Sequence, residues 1–269
     1  MRLAISLCLF FFYLGVGNAY AQDTLTIFSK TNLRQTDSIL VFSPKTIQKD
    51  RKYPAVYLLH GHSANYKSWS KLTDLQALAN QYGFIIICPD GLKKSWYLNS
   101  PKADSLQYES FFLKELMPHI SNRYAIDPKN VFITGASMGG FGAMWLMVNH
   151  PDLFAGAGST SGVLNLRYSA FRKTTIAYLL GEYDDKNQLY DDYSPVNKLQ
   201  SLQKLNKALI FDTGTEDYLY ITSKQFRQKC DELKIKATYI AQPGGHTGGY
   251  WSQSILKHFE FFSNHLVKN

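Results

Sequence analysis

Cysteine is scarce in this sequence. Of 269 residues only Cys8, Cys88 and Cys230 are cysteines. Cys8 lies in an amino-terminal apolar run, which leaves two cysteines for the rest of the chain, too few for a disulfide framework. Cys88 ends an apolar segment and is expected to be a buried small hydrophobe. The sequence leaves open whether Cys88 and Cys230 form a single disulfide.

Other features are also missing after residue 21. No later apolar run is long enough to cross a membrane, and the sequence contains no repeat, low-complexity tract or linker. The 29 Lys and Arg residues are scattered, without a basic stripe of the kind that binds nucleic acid. With 45% hydrophobic and 19% charged residues, the chain is expected to fold as one globular domain over residues 22–269.

Residues 1–21 have the pattern of a cleavable signal peptide. Arg2 provides the positive start, residues 3–16 are apolar, and Ala19-Tyr20-Ala21 is a small-x-small cleavage site. We therefore expect a secreted or periplasmic protein that begins at Gln22, with its formal net charge reduced from +8 to +7 by the loss of Arg2. The alternative is an uncleaved signal that anchors the chain.

Apolar runs alternate with amphipathic segments along the rest of the chain. Two alternating segments, 24–28 and 38–42, favour antiparallel edge strands. Apolar residues on both faces, as buried parallel strands need, occur at 55–59, 84–88, 131–134, 208–211 and 237–240. Helical periodicity occurs at 72–82, 105–123, 141–150, 221–233 and 250–266. This order predicts an α/β fold with a mostly parallel sheet and helices on both faces.

The strongest chemical motif is Gly135-Ala136-Ser137-Met138-Gly139. It follows a predicted strand and precedes a predicted helix, which is the context of a nucleophile elbow. Small residues on either side allow the sharp turn, and the turn lifts the Ser137 hydroxyl clear of the sheet. The amide of Met138, at a helix amino terminus, would then stabilise an oxyanion. Ser137 is the predicted nucleophile.

A serine nucleophile needs a general base and an acid, and in this fold they follow it in the order acid, then histidine. His246 lies in a glycine loop after the last predicted strand, whereas His258 and His265 lie in the final helix, where surface or packing roles are more usual. The acid is expected just after the 208–211 strand. Asp217 is the preferred candidate, with Asp212 and Glu216 as alternatives.

The second oxyanion donor is expected after the first parallel strand. His60-Gly61-His62-Ser63 occupies that place, and the backbone amide of His62 is the candidate. The His-x-His spacing could suggest zinc, but no third ligand follows at metal-site spacing. We therefore predict no metal site.

The chain resembles a family of esterases with the α/β-hydrolase fold, which includes esterase D (S-formylglutathione hydrolase), tributyrin esterases, feruloyl and acetyl-xylan esterases, and mycolyltransferases. The resemblance covers about residues 39–262 and rests on motifs that occur in order: Leu58-Leu59-His60-Gly61, Trp69, Pro89-Asp90-Gly91, Ser95-Trp96-Tyr97, Gly135–Gly140, Gly214-Thr215-Glu216-Asp217 and Gly244-Gly245-His246-Thr247 with Tyr250-Trp251. It implies carboxylester hydrolysis, a triad of Ser137, Asp217 and His246, and no cofactor.

Three aromatic residues and one irregular stretch are the features of the sequence that bear on substrate specificity. Trp96, Tyr97 and Trp251 are candidates for the wall of a substrate cleft, and the irregular, Tyr-rich stretch 164–202 is expected to roof it. Family members often have a bulky aromatic two residues after the histidine, whereas this chain has Gly248-Gly249, which is expected to open the pocket. Short-chain, acetyl or feruloyl esters, some on polysaccharides, are the expected substrates. The alternatives are an acyltransferase, an inactive binding protein on this scaffold and a peptidase of related fold, which usually carries an additional domain.

Overall fold

The computed structural model describes residues 22–268, so the signal peptide predicted over residues 1–21 lies outside the described part. Within residues 22–268 eight strands form one sheet. They are β1 (Gln22–Ser29), β2 (Gln35–Phe42), β3 (Tyr53–Leu59), β4 (Ile85–Pro89), β5 (Ile126–Gly135), β6 (Gly156–Thr160), β7 (Ala208–Gly214) and β8 (Thr238–Gln242).

The order of strands across the sheet is β1-β2-β4-β3-β5-β6-β7-β8. β1 and β2 pair antiparallel, β2 pairs antiparallel with β4, and all remaining neighbours are parallel. The predicted α/β fold is therefore confirmed. Both predicted antiparallel strands are present, but of the two only β1 lies at the edge of the sheet, because β2 pairs with β1 on one side and with β4 on the other. β6 is missing from the prediction because its residues, Gly-Ala-Gly-Ser-Thr, are small and give no apolar run, although all five are buried.

Eight α-helices occur in the described residues. They are α1 (Leu75–Tyr82), α2 (Tyr108–Phe111), α3 (Met117–Arg123), α4 (Met138–Asn149), α5 (Thr175–Leu180), α6 (Leu189–Asp192), α7 (Tyr220–Glu232) and α8 (Gly248–Asn264). The single helix predicted over 105–123 is divided, because residues Phe112–Leu116 between α2 and α3 form a π-helix. Among residues 22–268, no helix has the length and apolarity that a membrane span requires.

The sheet separates two apolar cores. Tyr57 on β3 belongs to the core that α4 and α7 cover, whereas its neighbour Val56 belongs to the core that α1 and α8 cover, as expected because successive strand residues face opposite sides. Cys88 lies in the second core and Cys230 in the first. The two thiols are thus on opposite faces of the sheet, and both are free in the structure.

Asp37, in the middle of β2, is an unusual core residue. Its side chain is buried, with 1% of the residue exposed, and lies near the carboxylate of Asp90. Burial, and then the charge of Asp90, raise the pKa of Asp37 to about 9. Because the unfolded chain has a carboxyl pKa near 3.8, folding takes up a proton between these two values. Stability is therefore expected to fall as the pH rises through this range.

Asp37→Asn keeps the shape of the neutral side chain and removes this proton uptake. We expect its advantage over wild type in free energy of unfolding to be near zero at pH 4 and to grow by about 1.4 kcal/mol per pH unit from pH 5 to pH 8. Urea unfolding of both proteins across this range measures it. Asp104→Asn, at an exposed carboxylate, is the control and should show no such trend. An Asp37→Asn advantage that does not change with pH would contradict the protonated state.

Candidate active site

Ser137 lies at the sharp turn between β5 and α4. Its backbone has φ 55° and ψ −116°, a strained conformation that non-glycine residues rarely adopt. Its amide donates to the carbonyl of Thr160, at 2.9 Å, which ties the turn to β6. A Cβ on Gly139 would lie 2.2 Å from the carbonyl oxygen of Leu59, so only glycine fits between the turn and β3. The strand–turn–helix context predicted from the motif is present.

Ser137, His246 and Asp217 form one hydrogen-bonded chain. The Nε2 of His246 lies 2.9 Å from the Oγ of Ser137, and the Nδ1 of His246 lies 2.9 Å from the Oδ2 of Asp217. These distances suit proton transfer from the hydroxyl to the imidazole. The three side chains are 109 and 29 residues apart in sequence, yet the structure brings them together in the arrangement of a Ser-His-Asp triad.

The environment of Asp217 suits a residue that orients the histidine. Its carboxylate is buried and also accepts the amide of Leu219, at 2.8 Å. Burial acts to raise the pKa of Asp217, but the hydrogen bonds from His246 and Leu219 outweigh it and lower the pKa. The carboxylate therefore remains ionised as an acceptor for the imidazole. Of the two alternative acids, Glu216 is exposed and Asp212 is bonded to His258 instead.

The two candidate oxyanion donors come from the turn at Ser137 and from the loop after β3, which approach each other closely, since a Cβ on Gly61 would lie 3.6 Å from the Ser137 Cβ. Met138 is the first residue of α4, where the helix dipole favours negative charge. His62 lies in the loop after β3. This loop is held by the hydroxyl of Tyr97, which donates to the carbonyl of His60 at 2.9 Å, and by the amide of Gly91, which donates to the Nε2 of His60 at 2.7 Å.

A cavity of about 200 Å³ lies beside Ser137. Tyr218 and Trp251 pack against the ring of His246, with ring centroids 4.8 and 5.0 Å away. The remaining walls are mostly apolar and come from the loop after β3, the turn at Ser137 and the 164–202 excursion: Gly61, His62, Ala64, Trp69, Leu72, Ala136 and Phe171. The cavity is small in comparison with common ligand pockets of about 300–1,000 Å³.

Of the three predicted wall aromatics only Trp251 lines the cavity. Trp96 and Tyr97 are fully buried, which corrects the prediction. The indole of Trp96 stands behind Phe171, 5.9 Å between ring centroids, and its N–H donates to Thr175. Tyr97 supports the His60 loop, as described above. Both have positive φ, 53° and 55°, a local backbone feature that a sequence pattern of two aromatics does not reveal.

Sequence reasoning missed Phe171, Leu72 and Tyr218 as lining residues. Tyr218 could have been found from its position directly after Asp217, whereas Phe171 lies in an irregular excursion without a pattern. Leu72 also occupies the space next to Gly248, since a Cβ on that glycine would lie 2.9 Å from the Leu72 Cδ2. The two glycines were expected to open the pocket. Leu72 instead fills the space beside Gly248, so this part of the prediction is wrong.

A second, larger groove of about 970 Å³ lies elsewhere, at the start of β7 and β8. Its walls include Lys207, Lys234 and Lys236 but none of the three triad side chains. The chemistry of the lining residues, rather than the volume, therefore makes the smaller cavity the candidate active site. Within residues 22–268 no group of three or more His, Cys, Asp or Glu side chains is arranged to hold a metal ion.

Comparison with known proteins places the chain in a family of esterases. The model of the family described as "Putative esterase" matches residues 31–262. The chain belongs to this family. It is therefore a carboxylic ester hydrolase with the α/β-hydrolase fold.

Individual relatives are similar over nearly the full length. An acetyl esterase from Caldicellulosiruptor saccharolyticus is 25% identical over 252 residues, which are 86% of this chain and 94% of the relative. Among solved structures, a ferulic acid esterase has a TM-score of 0.79 at 24% identity, covering 91% of this chain and 98% of its own. A fluorophosphonate-binding serine hydrolase from Staphylococcus aureus has a TM-score of 0.78 at 21% identity, with 91% and 98% covered.

Proposed function

We propose that this esterase is a secreted serine enzyme that hydrolyses short-chain acyl esters through an acyl-enzyme, with residues 22–269 as its single catalytic domain. The observation that carries the proposal is the hydrogen-bonded chain from Ser137 through His246 to Asp217 at a strained strand-to-helix turn. Secretion is inferred from the leader sequence alone.

The proposed reaction has two steps. In the first, the Nε2 of His246 takes the Ser137 proton while Oγ bonds to the ester carbonyl carbon, and the amides of His62 and Met138 stabilise the oxyanion. The imidazolium, held by Asp217, then gives its proton to the leaving alcohol as the C–O bond breaks. In the second step His246 takes a proton from water as the water oxygen bonds to the acyl carbon. The imidazolium then returns this proton to the Ser137 Oγ as the acyl C–Oγ bond breaks, which releases the acid and free Ser137.

The cavity supports a small acyl group. At about 200 Å³, with mostly apolar walls, it has room for an acetyl or butyryl chain, and the exposed ring of Tyr218 beside His246 provides a flat apolar surface for a larger group at the rim. The similar proteins include an acetyl esterase and a ferulic acid esterase. Acetyl and feruloyl esters, including those on polysaccharides, are therefore the substrates to test first.

The test uses the chain from Gln22 with p-nitrophenyl acetate, butyrate and octanoate, methyl ferulate and acetylated xylan. We expect acetate and butyrate to be hydrolysed faster than octanoate, because the cavity limits chain length. A reactive alkylphosphonate should stop turnover and modify Ser137, which peptide mass spectrometry locates.

Three other outcomes of this test would each revise the proposal. Acyl transfer to an added alcohol in preference to water would instead identify an acyltransferase. Phosphonate labelling at a residue other than Ser137 would reject the proposed nucleophile. If none of the esters is hydrolysed, this substrate class is rejected.

A further inference from the structure

A second histidine–aspartate pair lies buried behind the triad. His258 on α8 and Asp212 on β7 are 0% and 2% exposed. The Nε2 of His258 lies 2.7 Å from the Oδ2 of Asp212, and its Nδ1 lies 2.7 Å from the Oγ1 of Thr134 on β5. Neither residue contacts the substrate cavity, and the proposed reaction does not use either of them.

The hydrogen bonds extend from this pair to β6 and back to α8. The hydroxyl of Thr160 donates to the Oδ2 of Asp212, at 2.8 Å, and lies 2.8 Å from the Oγ of Ser254 on α8. Since the single hydroxyl proton of Thr160 points to Asp212, Ser254 is the donor to Thr160. We refer to Thr134, Thr160, Asp212, Ser254 and His258 together as the His258 cluster.

The cluster is connected to the segment that carries the nucleophile. Thr134 lies on β5, three residues before Ser137. The carbonyl of Thr160 accepts the amide of Ser137 itself, at 2.9 Å, while the side chain of Thr160 belongs to the cluster. Two adjacent strands thus connect the buried hydrogen bonds to the backbone of the catalytic turn.

The cluster is also connected to the segments that carry the acid and the base. Asp212 lies five residues before Asp217, and its carbonyl accepts the amide of Ser161 at 2.8 Å. His258 lies on α8, which begins two residues after His246. Ser137 and Asp217 are therefore close in sequence to a member of the cluster, whereas His246 is connected to Ser254 and His258 through the first turns of α8.

The glycine at position 158 of β6 leaves the space that the imidazole of His258 occupies. A Cβ on Gly158 of β6 would lie 2.4 Å from the Nδ1 of His258 and 2.6 Å from the Oγ1 of Thr134. No side chain is therefore accommodated at this position of β6 while the imidazole stays where it is. The imidazole of His258 therefore lies directly against the backbone of β6.

We propose that the His258 cluster sets the relative positions of the three triad segments, and that His258 and Asp212 are positioning residues for the reaction. Buried hydrogen bonds are directional and rigid, and catalytic groups need placement to within about 0.5 Å. The inference rests on the proposed serine esterase function, because it concerns the geometry of that triad.

The test compares three variants in the chain from Gln22. His258→Leu removes both imidazole hydrogen bonds, Thr160→Val removes the hydroxyl at nearly constant shape, and His258→Gln keeps an N–H donor for Asp212. Active sites are counted by phosphonate titration, so that kcat refers to folded, reactive protein. His265→Gln, at an exposed histidine just after α8, is the control.

We expect kcat per titrated site to fall about 10- to 100-fold in His258→Leu and Thr160→Val, with KM for p-nitrophenyl acetate within about twofold of wild type. His258→Gln should recover part of the loss, and His265→Gln should match wild type. If His258→Leu does not fold, Thr160→Val and His258→Gln decide the question.

Wild-type kcat per titrated site in the folded variants, with only a lower Tm, would overturn the inference and leave the cluster a structural role. A KM that rises as steeply as kcat falls would also overturn it. Failure of the proposed function is distinct, because wild type itself would then hydrolyse none of the esters.

Discussion

Ser137→Ala is expected to lower kcat for p-nitrophenyl acetate by about 10⁴-fold or more. The variant removes the Oγ that lies 2.9 Å from the Nε2 of His246 and leaves the backbone amides of His62 and Met138 in place. Residual hydrolysis then depends on water and oxyanion stabilisation alone. Tm should change little, because alanine and serine have similar cost at the positive φ of this turn.

The rates are compared with Tm and with the control Ser121→Ala, at an exposed serine whose hydroxyl donates to the carbonyl of Met117 on α3. The control should keep wild-type kcat. Substantial activity in folded Ser137→Ala would mean that another group attacks the ester, and the triad assignment would be wrong.

Much of the fold could be predicted because its signals are local. Apolar runs identify five of the eight strands of the described chain, and alternation identifies two more, the antiparallel strands β1 and β2. The nucleophile turn could be located for a related reason. β3 approaches the turn so closely that only glycine fits at positions 135 and 139. This steric requirement is visible in the sequence as the two glycines on either side of Ser137.

Features that depend on contacts between distant segments could not be predicted in the same way. β6 has small residues because neighbouring backbones and His258 approach it closely, and small residues carry no periodic signal. The pairing of Asp212 with His258 joins residues 46 positions apart. The sequence offers Asp212 as an alternative acid, and only the three-dimensional arrangement assigns it to a different histidine.

Trp96 and Tyr97 illustrate a related limit. Both are aromatic, and their residue type makes them candidates for a cleft wall as well as for the core. Both residues have positive φ and buried side chains, which contact Phe171 and the loop at His60. A residue type indicates what a side chain can do, whereas the backbone decides which way it faces.

Asp217→Asn is expected to reduce kcat by about 10³- to 10⁴-fold, with a smaller change in KM. The carboxylate accepts the Nδ1 proton of His246 at 2.9 Å, which leaves Nε2 free to act as the base. An asparagine amide at this position can donate to Nδ1 and so favour the wrong tautomer, with the proton on Nε2. It also removes the negative charge that stabilises the imidazolium formed in each step.

Glu216→Gln is the matched control, because it neutralises the adjacent carboxylate on the same loop, where the side chain is exposed. It should retain wild-type kcat. The pair of variants is measured with p-nitrophenyl acetate from pH 5 to pH 9, since loss of the orienting carboxylate should lower the rate at every pH and not merely shift the profile. If Glu216→Gln proved the slower of the two, the acid of the triad would have to be reassigned.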